Sequence, residues 1–118
     1  MYQLFSLSWT KLKRRLNKKG EPDMDLLNEN EIRTHMQTLS EWRRDGHAIQ
    51  KEWTFRDFPT AIDFINKVAE LAEAHNHHPE LFNVYNRVSL RFSTHDAGGL
   101  TQKDFDIAQA IEKIDMFR

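Results

Sequence analysis

The sequence of 118 residues contains no cysteine. Disulfide bonds, zinc–thiolate sites and thiol nucleophiles are therefore excluded, and any metal site would need histidine and carboxylate ligands. Charged residues interrupt every apolar run, so no stretch reaches the roughly 20 apolar residues that cross a bilayer as a helix. A disulfide-stapled scaffold and a membrane-spanning protein are both excluded.

Outside the first 20 residues acidic residues outnumber basic ones. Those residues carry six lysines and arginines and no acid, whereas the other 11 basic and 18 acidic residues give the rest of the chain a formal charge of −7. An acidic body is not typical of a nucleic-acid-binding surface. Because hydrophobic residues make up 39% of the sequence and charged residues 30%, we expect a single globular domain.

A turn-prone cluster at residues 20–23 separates the basic opening from the acidic body. We divide the chain into a basic N-terminal extension, residues 1–22, and one domain, residues 23–118. We interpret the extension as an arm that is solvated or packs against a partner. Its apolar and hydroxyl residues also resemble an organellar targeting peptide, and contact with nucleic acid or a membrane is a third interpretation. We expect a cytoplasmic protein, or an organellar one if the extension is a targeting signal.

The first half of the domain has the pattern of a helix followed by a β-hairpin. Asn28 and Glu31 have the spacing of a capping box, and the apolar residues behind them predict a helix to about Ser40. The dipeptide Asp45-Gly46 then predicts a tight type I′ turn. The strand after it alternates, and one of its faces consists of Ile49, Lys51, Trp53 and Phe55.

The second half has a longer helix, a second hairpin and a last helix. An apolar stripe at helical spacing follows position 57, and this helix must end before Pro79. The stripe consists of Phe58, Ala61, Ile62, Ile65, Val68, Ala69 and Ala72. Residues 81–92 predict a hairpin that turns at Tyr85-Asn86, and Thr101 with Asp104 caps the last helix. The fold class is therefore α+β: the order α-β-β-α-β-β-α predicts a four-stranded antiparallel sheet with three helices packed on one face.

Four of the six histidines fall in two short segments at the ends of regular elements. His75, His77 and His78 come at the end of the long helix, and His95 follows the second hairpin. The hydrogen-bonding residues around them are Glu73, Asn76, Glu80, Thr94, Asp96 and Asp104. Connecting segments carry a large share of functional side chains, so we expect these two segments to converge in the fold.

Three interpretations of the histidines remain open at this level. A histidine at a helix C-terminus interacts favourably with the helix dipole, and its role is then structural. A metal site could use His75 and His78 with His95 as a third ligand, but the H-E-x-x-H element is absent and Pro79 interrupts the helix. An acid/base site suits imidazoles, since they donate and accept protons near pH 7.

Four short motifs occur at fixed distances from one another: His-His-Pro-Glu at 77–80, Asn-Val-Tyr-Asn at 83–86, Thr-His-Asp at 94–96 and Gly-Gly-Leu-Thr at 98–101. Together they closely resemble the signature of the pterin-4a-carbinolamine dehydratase family. The resemblance is collinear from about Leu26 to Ile114. The fold of that family has the same α-β-β-α-β-β-α order.

The resemblance implies dehydration of 4a-hydroxytetrahydrobiopterin, the 4a-carbinolamine, to the quinonoid dihydropterin. This step recycles the tetrahydropterin that an aromatic amino acid hydroxylase uses. The resemblance further implies acid/base catalysis without a metal or other cofactor, in which His77 and His95 transfer protons and His78 orients the pterin. The substrate-binding positions that it implies are Glu73, Asn76, Thr94 and Asp104.

Two residues depart from the family pattern. Asn76 stands where an aspartate is often found, and Leu81 stands where a tryptophan is typical. A lower activity or a different pterin is therefore an alternative, as is a role beside molybdopterin or folate enzymes. The resemblance also implies a homodimer or homotetramer. A non-catalytic function is a further alternative, since some family members are dimerisation cofactors of a homeodomain transcription factor and act as transcriptional coactivators.

Overall fold

A computed structural model describes residues 25–115. The basic extension assigned to residues 1–22 lies outside the described residues, and its interpretation stays a prediction. Within residues 25–115 the chain forms α1 (Glu29–Met36), β1 (Arg43–Asp45), β2 (Ala48–Thr54), α2 (Phe58–His75), β3 (Glu80–Val84), β4 (Arg87–Phe92), a short 3₁₀ helix (His95–Ala97) and α3 (Gln102–Glu112). The predicted α+β class and the order of its elements are confirmed.

The four strands form one antiparallel sheet in the order β1-β2-β4-β3. The inner strands β2 and β4 pair from Ile49 opposite Phe92 to Thr54 opposite Arg87. The second hairpin turns at Tyr85-Asn86, as predicted, because Val84 pairs with Arg87. This topology carries the end of β4 away from the turn and toward the end of α2.

The first hairpin turns one residue later than predicted. Asp45 pairs with Ala48, so the turn residues are Gly46 and His47 rather than Asp45 and Gly46. Gly46 alone in this turn has a positive φ, 61°, which is typical of the first central position of a type II′ turn rather than of a type I′ turn. Asp45 stays in the strand, where its carboxylate and carbonyl oxygens accept from Arg91.

The helix-covered face of the sheet is the apolar one. Its buried strand residues are Ile49, Trp53, Val88, Leu90 and Phe92. The buried residues with which the three helices cover it are Ile32, Ala61, Phe64, Val68, Ala72, Phe105, Ile107, Ala108 and Ile111. Burial of each large side chain stabilises the fold by about 1.5 to 3 kcal/mol, so this layer holds the two hairpins and the three helices together.

Two helix predictions were wrong in detail. Helix α1 ends at Met36 rather than near Ser40, because Leu39 reaches the core from a turn after the helix. In α2 the buried face includes Phe64, which the predicted stripe omitted, whereas Phe58 is 44% exposed. The ring of Phe64 lies 4.8 Å from that of Trp53, and packing of this large ring sets the rotation of the helix. No helix within residues 25–115 is long and apolar enough to cross a membrane.

Candidate active site

The C-terminal end of α2 directs two adjacent histidines to different environments. Asn76 caps the helix in the left-handed conformation, with φ 50° and ψ 46°, which asparagine adopts more readily than most residues. The Lys103 ammonium donates to the Asn76 carbonyl at 3.4 Å and so ties this cap to α3. After the cap, His77 is buried with 8% of its surface exposed, while the side chain of His78 is 56% exposed.

His77 forms a buried pair with Asp104, a residue 27 positions away. The distance from His77 Nε2 to Asp104 Oδ1 is 2.6 Å. The His77 ring also stacks on Phe92 at the end of β4, with ring centroids 5.9 Å apart. Asp104 has no exposed surface, and its other oxygen, Oδ2, accepts from the Thr101 N–H at 2.9 Å as part of the predicted capping box. One carboxylate therefore serves both as a helix cap and as the partner of His77.

Thr94 joins this network from the end of β4. Its hydroxyl donates to Asp104 Oδ2 at 2.9 Å and lies 2.8 Å from the hydroxyl of Thr101. Thr94 also begins a tight loop, since its carbonyl accepts from the N–H of Gly98 at 2.9 Å. Gly98 has a positive φ of 79°, which glycine adopts without strain. This loop places His95 on the surface directly after the buried Thr94.

An outer pair lies beside the buried network. His78 Nε2 is 2.6 Å from Glu73 Oε2, and the two side chains are 56% and 78% exposed. An exposed ion pair contributes only about 0 to 1 kcal/mol to stability. The Glu73–His78 contact therefore has little structural purpose and leaves both groups open to a ligand.

The structure joins five of the seven predicted site residues into two contacting groups. One group is His77 with Asp104 and Thr94, and the other is Glu73 with His78. The remaining two, Asn76 and His95, form no side-chain hydrogen bond with these groups within residues 25–115, but each adjoins a member in sequence. The sequence assigned Thr101 only to a helix cap. Its capping-box spacing with Asp104 was the signal that placed it at the same carboxylate.

The hydrogen-bond pattern assigns a tautomer to His77. An ionised carboxylate only accepts hydrogen bonds, so the proton between His77 and Asp104 belongs to Nε2 of the imidazole. In the neutral ring Nδ1 then carries no proton and can accept one. The buried carboxylate would stabilise the imidazolium that results. This arrangement suits a general base, because the ring is held by one nitrogen and reacts through the other.

Metal ligation has weaker support from the geometry than proton transfer. Within residues 25–115 no three histidine, aspartate or glutamate side chains are grouped so that they could hold a metal ion. His77 and His78 each have a carboxylate partner instead. The site is thus built from two imidazole–carboxylate pairs, one buried and one exposed.

Comparisons with known proteins agree with one family. A family model described as Pterin 4 alpha carbinolamine dehydratase matches residues 25–114. A protein of Cyanothece sp., provisionally named pterin-4-alpha-carbinolamine dehydratase, is 49% identical over 89 residues, which are 75% of this chain and 92% of that protein. A protein of Sulfurisphaera tokodaii with the same provisional name is 40% identical over 91 residues, 77% of this chain and 98% of that protein. Among solved structures, a transcriptional coactivator/pterin dehydratase from Brucella melitensis has a TM-score of 0.72 at 36% identity, covering 75% of this chain and 96% of that one.

Proposed function

The chain belongs to the pterin 4 alpha carbinolamine dehydratase family, and we propose that it removes water from 4a-hydroxytetrahydrobiopterin or a related 4a-hydroxytetrahydropterin. The product is the quinonoid dihydropterin, and reduction of that product would return tetrahydropterin to an aromatic amino acid hydroxylase. The observation that carries the proposal is the buried His77–Asp104 pair at 2.6 Å, which is flanked in sequence by the exposed His78 and is hydrogen-bonded to Thr94, the residue before His95.

The proposed reaction requires two proton transfers at neighbouring atoms of the pterin. The C4a–O bond breaks, and the hydroxyl leaves as water after it receives a proton. The proton on N5 is removed as the N5=C4a double bond forms. An acid and a base must therefore both lie close to C4a and N5 of the pterin. Imidazoles can serve in either role near neutral pH, so we propose that no metal or other cofactor takes part.

We propose His77 as the base and His95 as the acid. Asp104 holds the Nε2–H of His77, which leaves Nδ1 to take the N5 proton, and the carboxylate stabilises the charge that forms. His95, exposed on the 3₁₀ helix after Thr94, would protonate the departing hydroxyl. His78 would orient the pterin, since its contact with Glu73 fixes the ring without burying it.

The substrate-binding set that we propose is Glu73, Asn76, Thr94 and Asp104. The exposed Glu73 carboxylate can accept hydrogen bonds from the amino and N3–H groups of a pterin. Asn76 can contribute an amide from its exposed cap position. Thr94 and Asp104 are buried, so their part is to shape the inner wall of the site and hold His77.

Single histidine variants test these roles. We expect His77→Gln and His95→Gln to lower kcat about a hundredfold or more, since general acid–base catalysis contributes about 10² to 10⁴. His78→Gln should mainly raise KM. His75→Gln is the matched control, because His75 belongs to the same segment but makes no hydrogen bond with either group of site residues within residues 25–115, and its kcat should be unchanged. A His77→Gln variant with the kcat of the wild type would contradict the assignment.

We further propose that two copies of the chain associate along β3. The two edge strands differ, since β1 consists of Arg43, Arg44 and Asp45 whereas β3 exposes Leu81, Phe82 and Val84. Charged edge strands resist pairing with another chain, and apolar edge strands favour it. Sedimentation velocity should show a dimer or tetramer for the wild type and a smaller species for Phe82→Lys, with Arg43→Lys as the control. A wild-type monomer at micromolar concentration would refute the association.

A protein-interaction role is the second candidate function. Phe58 is 44% exposed at the start of α2 and shares a face with the half-buried Ile62. Within residues 25–115 the large exposed apolar side chains lie outside α3, so α2 rather than the last helix offers such a surface. The test is titration of a purified homeodomain transcription factor: binding that Phe58→Asp abolishes would support the role, and no binding at micromolar concentration would count against it.

A further inference from the structure

We propose that Thr101 is a positioning residue of the histidine site, which acts on His77 through Thr94 and Asp104. The proposal rests on the proposed function, in which His77 accepts a proton at Nδ1. Thr101 is buried, with 1% of its surface exposed, so it is placed to hold other side chains rather than to meet a ligand. Its hydroxyl lies 2.8 Å from the hydroxyl of Thr94.

The direction of each hydrogen bond follows from the carboxylate at the end of the chain of contacts. An ionised carboxylate only accepts, so Thr94 donates its single hydroxyl proton to Asp104 Oδ2 at 2.9 Å. The contact of 2.8 Å between the two hydroxyls must then run from Thr101 to Thr94. The oxygen of Thr101 in turn accepts from the backbone N–H of Lys103 at 3.3 Å. Thr101 thus keeps the Thr94 proton directed at Asp104.

The same network decides which nitrogen of His77 carries the proton. Hydrogen bonds in series polarise and strengthen one another in a buried site, so the Thr101 hydroxyl supports the Asp104 carboxylate as the acceptor of His77 Nε2–H. Within residues 25–115 every buried side-chain nitrogen and oxygen has a hydrogen-bond partner. Among these residues no buried side-chain donor is left unpaired that could replace the Thr101 hydrogen bond to Thr94. Loss of its hydroxyl should therefore let part of the neutral His77 population move its proton to Nδ1.

The test compares variants of Thr101 that differ in the hydroxyl. Thr101→Val removes it at similar volume, Thr101→Ser keeps it, and Thr101→Gly removes it while keeping a residue that is favourable at a helix N-cap. Asn28→Ala is the control for loss of a cap, because Asn28 caps a different helix, α1, by accepting from the Glu31 N–H at 2.8 Å. The measurements are kcat and KM for dehydration and the ¹⁵N chemical shifts of the His77 ring.

We expect Thr101→Val and Thr101→Gly to lower kcat about five- to tenfold, the rate equivalent of about one hydrogen bond. KM should stay within about twofold, since Thr101 would not touch the pterin. The ¹⁵N shifts of both hydroxyl-free variants should show more proton on Nδ1 of His77. Thr101→Ser should restore kcat and the shifts, and Asn28→Ala should change neither.

Unchanged ¹⁵N shifts in both hydroxyl-free variants overturn the proposal, whatever happens to kcat. An equal fall of kcat in Asn28→Ala overturns it too, because the effect would then come from lost helix stability. Absence of dehydration by the wild type would contradict the proposed function instead. In that case the ¹⁵N shifts still decide whether Thr101 sets the tautomer of His77.

Discussion

Replacement of Asp104 by asparagine perturbs the buried network at its centre. The carboxylate accepts three hydrogen bonds, from His77 Nε2 at 2.6 Å, Thr94 Oγ1 at 2.9 Å and the Thr101 N–H at 2.9 Å. An asparagine has one carbonyl oxygen, so its amide N–H must face one of these donors. The least unfavourable arrangement keeps the carbonyl toward Thr94 and Thr101 and directs the amide at His77.

Two consequences of Asp104→Asn can be measured separately. Loss of a hydrogen bond to a charged group weakens a fold by about 1.5 to 3 kcal/mol, so the free energy of unfolding in urea should fall by about 2 to 3 kcal/mol. The amide also moves the His77 proton from Nε2 to Nδ1, which removes the proposed base. Stopped-flow ultraviolet absorbance should therefore show a kcat about a hundredfold lower, within the range for general acid–base catalysis.

The control for this variant lies two positions along the same helix. Asp106 is exposed and accepts a hydrogen bond from Gln102 Nε2 at 2.9 Å. Asp106→Asn should change the free energy of unfolding by less than about 0.5 kcal/mol, as surface substitutions usually do, and should leave kcat unchanged. If Asp104→Asn behaves like Asp106→Asn in both assays, the Asp104 carboxylate neither stabilises the fold nor holds His77 as proposed.

Three further predictions concern other parts of the molecule. Lys51 is buried with its ammonium 2.8 Å from the Glu112 carboxylate. Glu112→Ala should lower the free energy of unfolding by about 3 kcal/mol, because it leaves the buried ammonium without its carboxylate partner. An unchanged urea midpoint would contradict this. The hydroxyl of Thr60 and then its backbone N–H hold the pKa of Asp57 below its ordinary value of 3.8. This stabilisation is present above the ordinary pKa and is lost as pH falls through the lower pKa of the folded state, so acid denaturation should be shallower in Asp57→Asn than in the wild type. Leu81→Trp should lower KM about threefold, because an aromatic contact is worth about 0.5 to 1.5 kcal/mol; an equal or higher KM would show that position 81 does not contact the pterin.

Sequence patterns predicted the fold best where the determining contacts are local. Both capping boxes, Asn28 with Glu31 and Thr101 with Asp104, form as predicted because their partners lie three residues apart. The second hairpin also follows from local turn residues. The rotation of α2 did not, since burial of Phe64 depends on Trp53 and Phe55 in another element. An apolar stripe identifies a helix, but tertiary packing selects which edge of the stripe is buried.

The candidate site shows the same division. Resemblance to the family indicated His77 and Asp104 by position, yet the contact between them spans 27 residues and requires the folded arrangement of α2 and α3. The sequence could not show that Asp104 is wholly buried or that the Thr94 hydroxyl donates its hydrogen bond to the Asp104 carboxylate. From the sequence, Thr101 is predicted only to cap a helix, since the capping-box spacing does not indicate that its hydroxyl also contacts Thr94.

The most direct test of metal-free histidine catalysis is the rate at which freshly generated 4a-hydroxytetrahydropterin loses water, followed by ultraviolet absorbance. The assay uses the full chain after treatment with a chelator, the His77→Ala, His95→Ala double variant, and a reaction without protein. We expect the chelated wild type to accelerate dehydration and the double variant not to accelerate it. A wild type that is no faster than the reaction without protein, or that loses its activity to the chelator, would contradict metal-free histidine catalysis.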